Sequence, residues 1–327
     1  MLNDIFLDTI KKYNLLKKKD KVILAVSRGP DSVCMFHLFC RLREMLKLNI
    51  ICAHFNHGLR KEADSDEKFV RDLCNSYKVK FVSTKKDVNS FFRGDSLEQT
   101  ARQLRFDFFL QCSRQYRIRK IAIAHTRDDV IETLLMRIIR GSALRGMRAI
   151  MPKSIYRGMY IIRPLIEADK GEILKWLKDN NYSYVIDKTN FEDKFLRNKI
   201  RHKLIDELRK LNPNVENSLF NLSKIAAQDY DFIYGYAREK FDSLRLSSHS
   251  SIKLKLKDLN SLHPAIVNEV IRIAIENVKG DLRRLEFRHL EEIRDLIVNR
   301  PEGSVVHLPH LEVKKEEKCI SIKSLIL

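Results

Sequence analysis

A chain of 327 residues exceeds what one hydrophobic core usually organises, so two domains are expected. Its 44% hydrophobic and 9% aromatic content excludes a mainly disordered protein, and no stretch approaches the ~20 consecutive apolar residues of a membrane span. Lys and Arg outnumber Asp and Glu by 62 to 43, and the resulting charge of +19 makes a favourable field for a polyanion, nucleic acid above all. A lysine-rich composition alone would give the same charge. The first residues lack a signal-peptide layout, so a cytoplasmic protein is expected. Cys34, Cys40, Cys52, Cys74, Cys112 and Cys319 fall mostly in apolar segments with no CxxC pair, which favours neither a disulfide framework nor a zinc or iron–sulfur site.

In chain order, residues 2–15 carry Ile5, Leu7, Ile10, Tyr13 and Leu15 at helical spacing. An apolar strand is predicted over 22–26, then the polar turn Ser27-Arg28-Gly29-Pro30-Asp31-Ser32, then a helix over 33–46. A strand feeding a helix through Ser and Gly is the geometry of a phosphate cradle, with amides and hydroxyls pointed at one anion and the helix dipole behind them. The loop is neither a Walker A motif nor a dinucleotide fingerprint, since it has neither Gly-Lys-Ser/Thr nor GxGxxG. The same residues also fill ordinary turns for local reasons.

Further strands are predicted over 49–55, 79–83 and 120–124, alternating with helices that start near the acidic residues 62–67, at a Ser96/Gln99 capping box and at Asp128. This alternation predicts βαβ units: an α/β, Rossmann-like parallel sheet with helices on both faces. The passage 141–163 reads as a lid or a connection. A helix over 170–180, a turn at Asp187-Lys188-Thr189-Asn190 and a basic helix from Phe195 to about Arg209 follow. Asn212-Pro213-Asn214 breaks the pattern, dividing a catalytic domain, 1–212, from a smaller, mainly helical domain, 213–327. A long helix over 215–245 either belongs to that second domain or joins the two, and helices over 265–278 and 285–298 follow, with short strands over 304–308 and 320–326.

Four more groups accompany the loop: Ala53-His54-Phe55-Asn56-His57-Gly58-Leu59-Arg60; the helix around Arg102; His125-Thr126-Arg127-Asp128-Asp129-Val130-Ile131-Glu132-Thr133, continued by Arg140 to Met147 with Arg145; and Asp187 to Asn190 with Arg197-Asn198-Lys199-Ile200-Arg201. Together with the S-G-G-x-D-S-like loop, these resemble the signatures of the tRNA(Ile)-lysidine synthases of the PP-loop ATP pyrophosphatase superfamily. The resemblance covers residues 21–208 and continues more weakly over 260–325. It implies a PP-loop ATPase fold that uses ATP and Mg²⁺. It further implies that the wobble cytidine of isoleucine tRNA with a CAU anticodon is adenylated at C2, and that free L-lysine then displaces AMP to give lysidine. The resemblance implies no membrane and leaves a homodimer open. The chain is expected to be a short form lacking the last C-terminal domain. A PP-loop tRNA thiolase and a catalytically silent RNA-binding protein remain alternatives.

Residue chemistry stands beside this. Ser27, Gly29 and Ser32 suit a leaving pyrophosphate, with Arg28 and Pro30 completing the nucleotide loop. Asp31 cannot hold an anion and is expected to bind Mg²⁺. His125 could donate to a phosphate that Arg102 neutralises. Asp129 and Glu132 share a helical face and could hold the lysine ammonium or a metal, while the dipole-favoured helix start is the structural reading. The family pattern puts His54 near the nucleotide. Arg197 and Arg201, four apart, with Lys199, His202 and Lys203, present a basic face to phosphates, and Arg201, Lys203 and Arg145 are expected to contact tRNA. Arg28 stands where the family has Gly, so it is either strained at positive φ or a cation beside the pyrophosphate at negative φ. Asp206 replaces a common Pro.

Overall fold

The structure, a computed structural model, describes residues 1–58, 63–91, 97–185, 196–246 and 251–325. They fall into two compact units, Met1–Lys224 and Ile225–Leu327.

In the first unit β1 (Lys21–Ala25) is central, and Val22, Ile23 and Leu24 are wholly buried, as a strand covered on both faces must be. β2 (Asn49–Asn56) and β4 (Lys120–Ala122) flank β1 in parallel, and β3 (Lys80–Lys85) runs parallel to β2. Side-chain alternation sorts the two faces. Val22 and Leu24 pack with α1 (Leu2–Lys12), α2 (Pro30–Leu46), α3 (Ala63–Ser76) and α7 (Lys170–Asp179). Ile23 packs on the other face with Phe106, Phe109 and Cys112 of α4 (Leu97–Tyr116). α5 (Arg127–Ile139) joins a separate apolar cluster with Ile200 and Ile205.

The passage 141–163 carries a short helix and two strands. After the short α6 (Leu144–Met147), β5 (Lys153–Tyr156) and β6 (Met159–Ile162) form a hairpin, with β6 parallel to β4 and β5 antiparallel at the edge. Arg157 and Gly158, at φ 45° and 82°, make the two-residue turn that the strand twist favours. Strands this short leave little periodicity to read. Among the described residues the sheet order is β3-β2-β1-β4-β6-β5. The chain builds outward from β1 to β3, then returns to place β4 on the free side of β1. The crevice at that reversal, beyond the carboxyl ends of β1 and β4, is where such sheets bind ligands.

α8 (Leu196–Lys199) continues through a π-helical turn, Ile200–Leu204, into α9 (Ile205–Leu211). α10 (Val215–Leu244) starts just after the Asn212-Pro213-Asn214 break, yet the compact units divide inside it rather than at the break. Phe220 belongs to a first-unit cluster, whereas Ala237 and Phe241 belong to the second core, so one helix serves both.

The second unit is mainly helical, as expected, and its sheet has strands beyond the two expected near the end of the chain. β7 (Arg245–Leu246), β8 (Ile252–Lys255), β9 (Val305–Leu308), β10 (Leu311–Lys315) and β11 (Cys319–Ser324) form an antiparallel sheet ordered β7-β8-β11-β10-β9. In Ile252-Lys253-Leu254-Lys255 the buried Ile and Leu alternate with Lys, a period-two pattern over four residues. α11 (Leu256–Asn260), α12 (Pro264–Lys279) and α13 (Phe287–Val298) accompany this sheet, and α12 and α13 share a core with it. Among the described residues no helix is long and apolar enough to cross a membrane.

Candidate active site

The loop after β1 is braced by its own hydroxyls. The Ser27 amide donates to Ser32 Oγ at 3.0 Å, Ser32 Oγ lies 2.8 Å from the Ser27 carbonyl oxygen and 3.0 Å from that of Gly29, and the Gly29 amide donates to Ser27 Oγ at 3.3 Å. Gly29 caps α2 in extended backbone, φ −70°, and Pro30 occupies the first turn, where its missing N–H costs nothing. The free amides of the α2 N-terminus therefore open onto the crevice. Arg28 is not at positive φ, so it replaces Gly without strain. Its guanidinium does not stand free beside the loop: it donates to Asp66 Oδ1 at 2.7 Å and lies 6.0 Å from the Phe69 ring. His54 is buried beside the end of β1. Its Nδ1 is 2.9 Å from the Val26 carbonyl oxygen, which can only accept, and burial holds its pKa down.

Asp31, in the first turn of α2, has a buried Oδ1 with no hydrogen-bond partner. Burial first, then Asp129 and Asp128, push its pKa up to about 6, against the pull of Lys170 and Arg201. A carboxylate oxygen shut away from water without a partner fits a hard cation such as Mg²⁺. Among the described residues no larger cluster of metal-ligating side chains forms.

The turn after β4 is a capping box in which the Thr126 amide donates to Asp129 Oδ2 at 2.8 Å. Asp129 Oδ1 accepts from Arg197 at 3.0 Å, and Asp128 Oδ2 accepts from the Lys170 amide at 2.9 Å, tying α5 to the start of α7. Glu132 is 1% exposed and receives Arg197 Nε at 2.7 Å and Arg201 Nε at 2.5 Å. The two carboxylates expected to hold an ammonium or metal are thus already matched by two guanidiniums. Arg201 correspondingly is no part of a freely solvated basic face. It and Arg197 share a helical face, and that face turns inward to Glu132. Burial pulls their pKa values down, but Asp129 and Glu132 raise Arg197, and Glu132 raises Arg201, enough to leave both above the ordinary value. Lys203 is exposed on the π-helical turn, Arg145 is half-buried on α6, and Asp206 pairs with Arg209 at 2.7 Å.

His125 accepts a hydrogen bond at Nδ1 from Arg163 Nε at 3.0 Å. Burial first, then the guanidiniums of Arg163, Arg197, Arg102 and Arg105, hold it well below the ordinary imidazole range. Arg102 stacks 4.9 Å from the Phe106 ring. The structure thus gathers a positive field around a neutral histidine beyond the carboxyl end of β4, a suitable place for an anion. Arg60, the Ser96 cap, Phe195 and the turn from Asp187 to Asn190 lie outside the described residues.

Arg163, Lys170, Arg105 and Asp66 are site residues that sequence reasoning overlooked. Arg163 directly follows the apolar Met159-Tyr160-Ile161-Ile162, the signal that a strand delivers it to the same edge as His125. Lys170 follows Asp169, whose capping box with Glu172 marks a helix start.

A PP-loop domain model matches residues 2–208, and a TilS substrate binding domain model matches residues 254–320. The tRNA(Ile)-lysidine synthase of Clostridium tetani is 38% identical over 297 residues, covering 90% of this chain and 63% of that relative, so the chain spans somewhat under two thirds of its length. The tRNA(Ile)-lysidine synthase of Petrotoga mobilis is 33% identical over 319 residues, 96% of each chain. Among solved structures, the U34-tRNA thiolase NcsA from Methanococcus maripaludis superposes with a TM-score of 0.58 at 18% identity, over 68% of this chain and 78% of that one, a likeness of fold.

Proposed function

We infer the activity from one premise: the chain belongs to the tRNA(Ile)-lysidine synthase family. The proposed reaction, carried out in the cytoplasm, ligates free L-lysine to C2 of the wobble cytidine of isoleucine tRNA with a CAU anticodon, using ATP. The cytidine O2 attacks the α phosphorus, pyrophosphate leaves, and the lysine amine then attacks C2 with loss of AMP. The observation that carries this reading is the pairing, at one strand-order reversal, of the Ser27–Ser32 cradle with the guanidinium field around His125.

Each residue has a task in that scheme. The Ser27, Gly29 and Ser32 amides and hydroxyls hold the leaving pyrophosphate as its charge grows. Asp31 would hold Mg²⁺, which would supply charge neutralisation for the phosphates. Arg102 and Arg197 face the nucleotide, and Glu132 and Asp129 keep Arg197 in place. Arg201 rests on Glu132 at the site's border, and Lys203 and Arg145 meet tRNA phosphates. Cys112 lends the thiolase alternative no support: it is buried, and burial pushes it up to about 11, far from a sulfur-relaying thiolate.

Mass spectrometry of CAU-anticodon isoleucine tRNA incubated with the protein, ATP, Mg²⁺ and lysine tests the reading. A lysine-dependent mass gain at the wobble cytidine is expected. Pyrophosphate release without lysine transfer would refute the ligation, and absence of both would refute the enzyme reading.

A further inference from the structure

The tautomer of a histidine is usually open, but two histidines here have partners that decide it. A carbonyl oxygen only accepts, so His54 carries its proton on Nδ1. A guanidinium only donates, so His125 Nδ1, 3.0 Å from Arg163 Nε, is the unprotonated nitrogen and its proton sits on Nε2. Arg163 has no freedom to swing away. It is 6% exposed, its NH1 donates to the Met151 carbonyl at 2.7 Å and to Ser154 Oγ at 3.0 Å, and its own amide donates to the Pro152 carbonyl at 2.9 Å. Burial and Arg102 lower its pKa only to about 10, so it remains a cation at neutral pH. Protonating His125 at Nδ1 would set an N–H against this fixed N–H and add a charge within the field of Arg163, Arg197, Arg102 and Arg105.

We propose that Arg163 is a positioning residue that fixes His125 as a neutral imidazole protonated on Nε2, making it a hydrogen-bond donor to an anionic phosphate oxygen of the nucleotide and excluding it as a base. The identity of the accepted anion rests on the adenylation reading above; the tautomer does not.

The test uses the full chain labelled with ¹⁵N-histidine, with His125→Gln identifying the signal. In two-bond ¹H–¹⁵N correlation spectra His125 is expected to show an unprotonated Nδ1 and a protonated Nε2, unchanged between about pH 5.5 and 8, a range spanning the ordinary imidazole pKa. Arg163→Met is expected to mix the tautomers, while Arg163→Lys, still an obligate donor, retains the wild-type pattern. A protonated Nδ1, or a ring titrating within that range in the wild type, would overturn the proposal whether or not the protein adenylates tRNA. Should Arg163→Met not fold, kinetics of pyrophosphate release decide. Glutamine places an amide donor near Nε2, so His125→Gln should lose at most about tenfold where His125→Ala loses about 100-fold, the scale of one removed transition-state donor. Equal losses would overturn the proposal.

Discussion

Glu132→Gln probes the buried charge that holds the arginines of the site. Glutamine keeps the shape but removes the charge, and its amide nitrogen confronts a guanidinium with a second donor. Breaking a buried ion pair by removing one partner costs about 3–5 kcal/mol. Arg197 and Arg201 are 32% and 22% exposed and recover some hydration, and Asp129 still accepts from Arg197 at 3.0 Å. The expected loss is therefore about 2–3 kcal/mol, or about 5–10 °C in Tm for a unit of this size. Thermal unfolding followed by circular dichroism measures it, and pyrophosphate release should fall about tenfold as Arg197 leaves its place. Adding Arg201→Met should return about 1–2 kcal/mol, because the second guanidinium no longer lacks its anion. A Tm change under about 2 °C, or strict additivity in the double variant, would refute the account of Glu132 as the anchor.

Asp31→Ala should abolish tRNA-dependent pyrophosphate release while leaving Tm near the wild-type value; full activity would remove its role as a cation ligand. His37, 3% exposed and stacked on Tyr182 with ring centroids 3.5 Å apart, is lowered by burial, then by Arg41, to about 4. The unfolded chain binds this proton first, so the stabilisation is complete above the ordinary pKa of about 6.5 and is lost as pH falls toward 4, about 3 kcal/mol in all. His37→Gln should flatten that slope in urea titrations at pH 4 to 7. Arg28→Gly should cost about 1–2 kcal/mol of stability through lost ion pairing and a freer unfolded chain. Calorimetry should show ATP affinity within about threefold of wild type, since Asp66 already engages this guanidinium. Lys203→Ala should lower the slope of log K against log salt for tRNA binding by about 0.7–0.9; an unchanged slope would count against a phosphate contact.

Features legible in the sequence were those whose cause is local. The burial of Val22 to Leu24, the polar turn from Ser27 to Ser32 and the acidic start of α5 follow from periodicity, turn chemistry and helix-end charge within a few residues. The hairpin of β5 and β6 was not legible, since four-residue strands show too little alternation and take their identity from the neighbour they pair with. The same holds for β8 and β10 in the second unit.

By itself the sequence determined the alternation of β1 to β4 with their helices, the polar turn between β1 and α2, and the basic excess of the chain. Only the tertiary structure decided how those basic side chains are spent. Arg197 and Arg201 turn from an outward basic face to Glu132, 65 and 69 residues away, Arg28 turns to Asp66, and Arg163 decides the tautomer of His125 across 38 residues. The physical reason is that helix and strand formation depends on near neighbours, whereas the partner of a charge depends on which strand ends the sheet order brings to one edge.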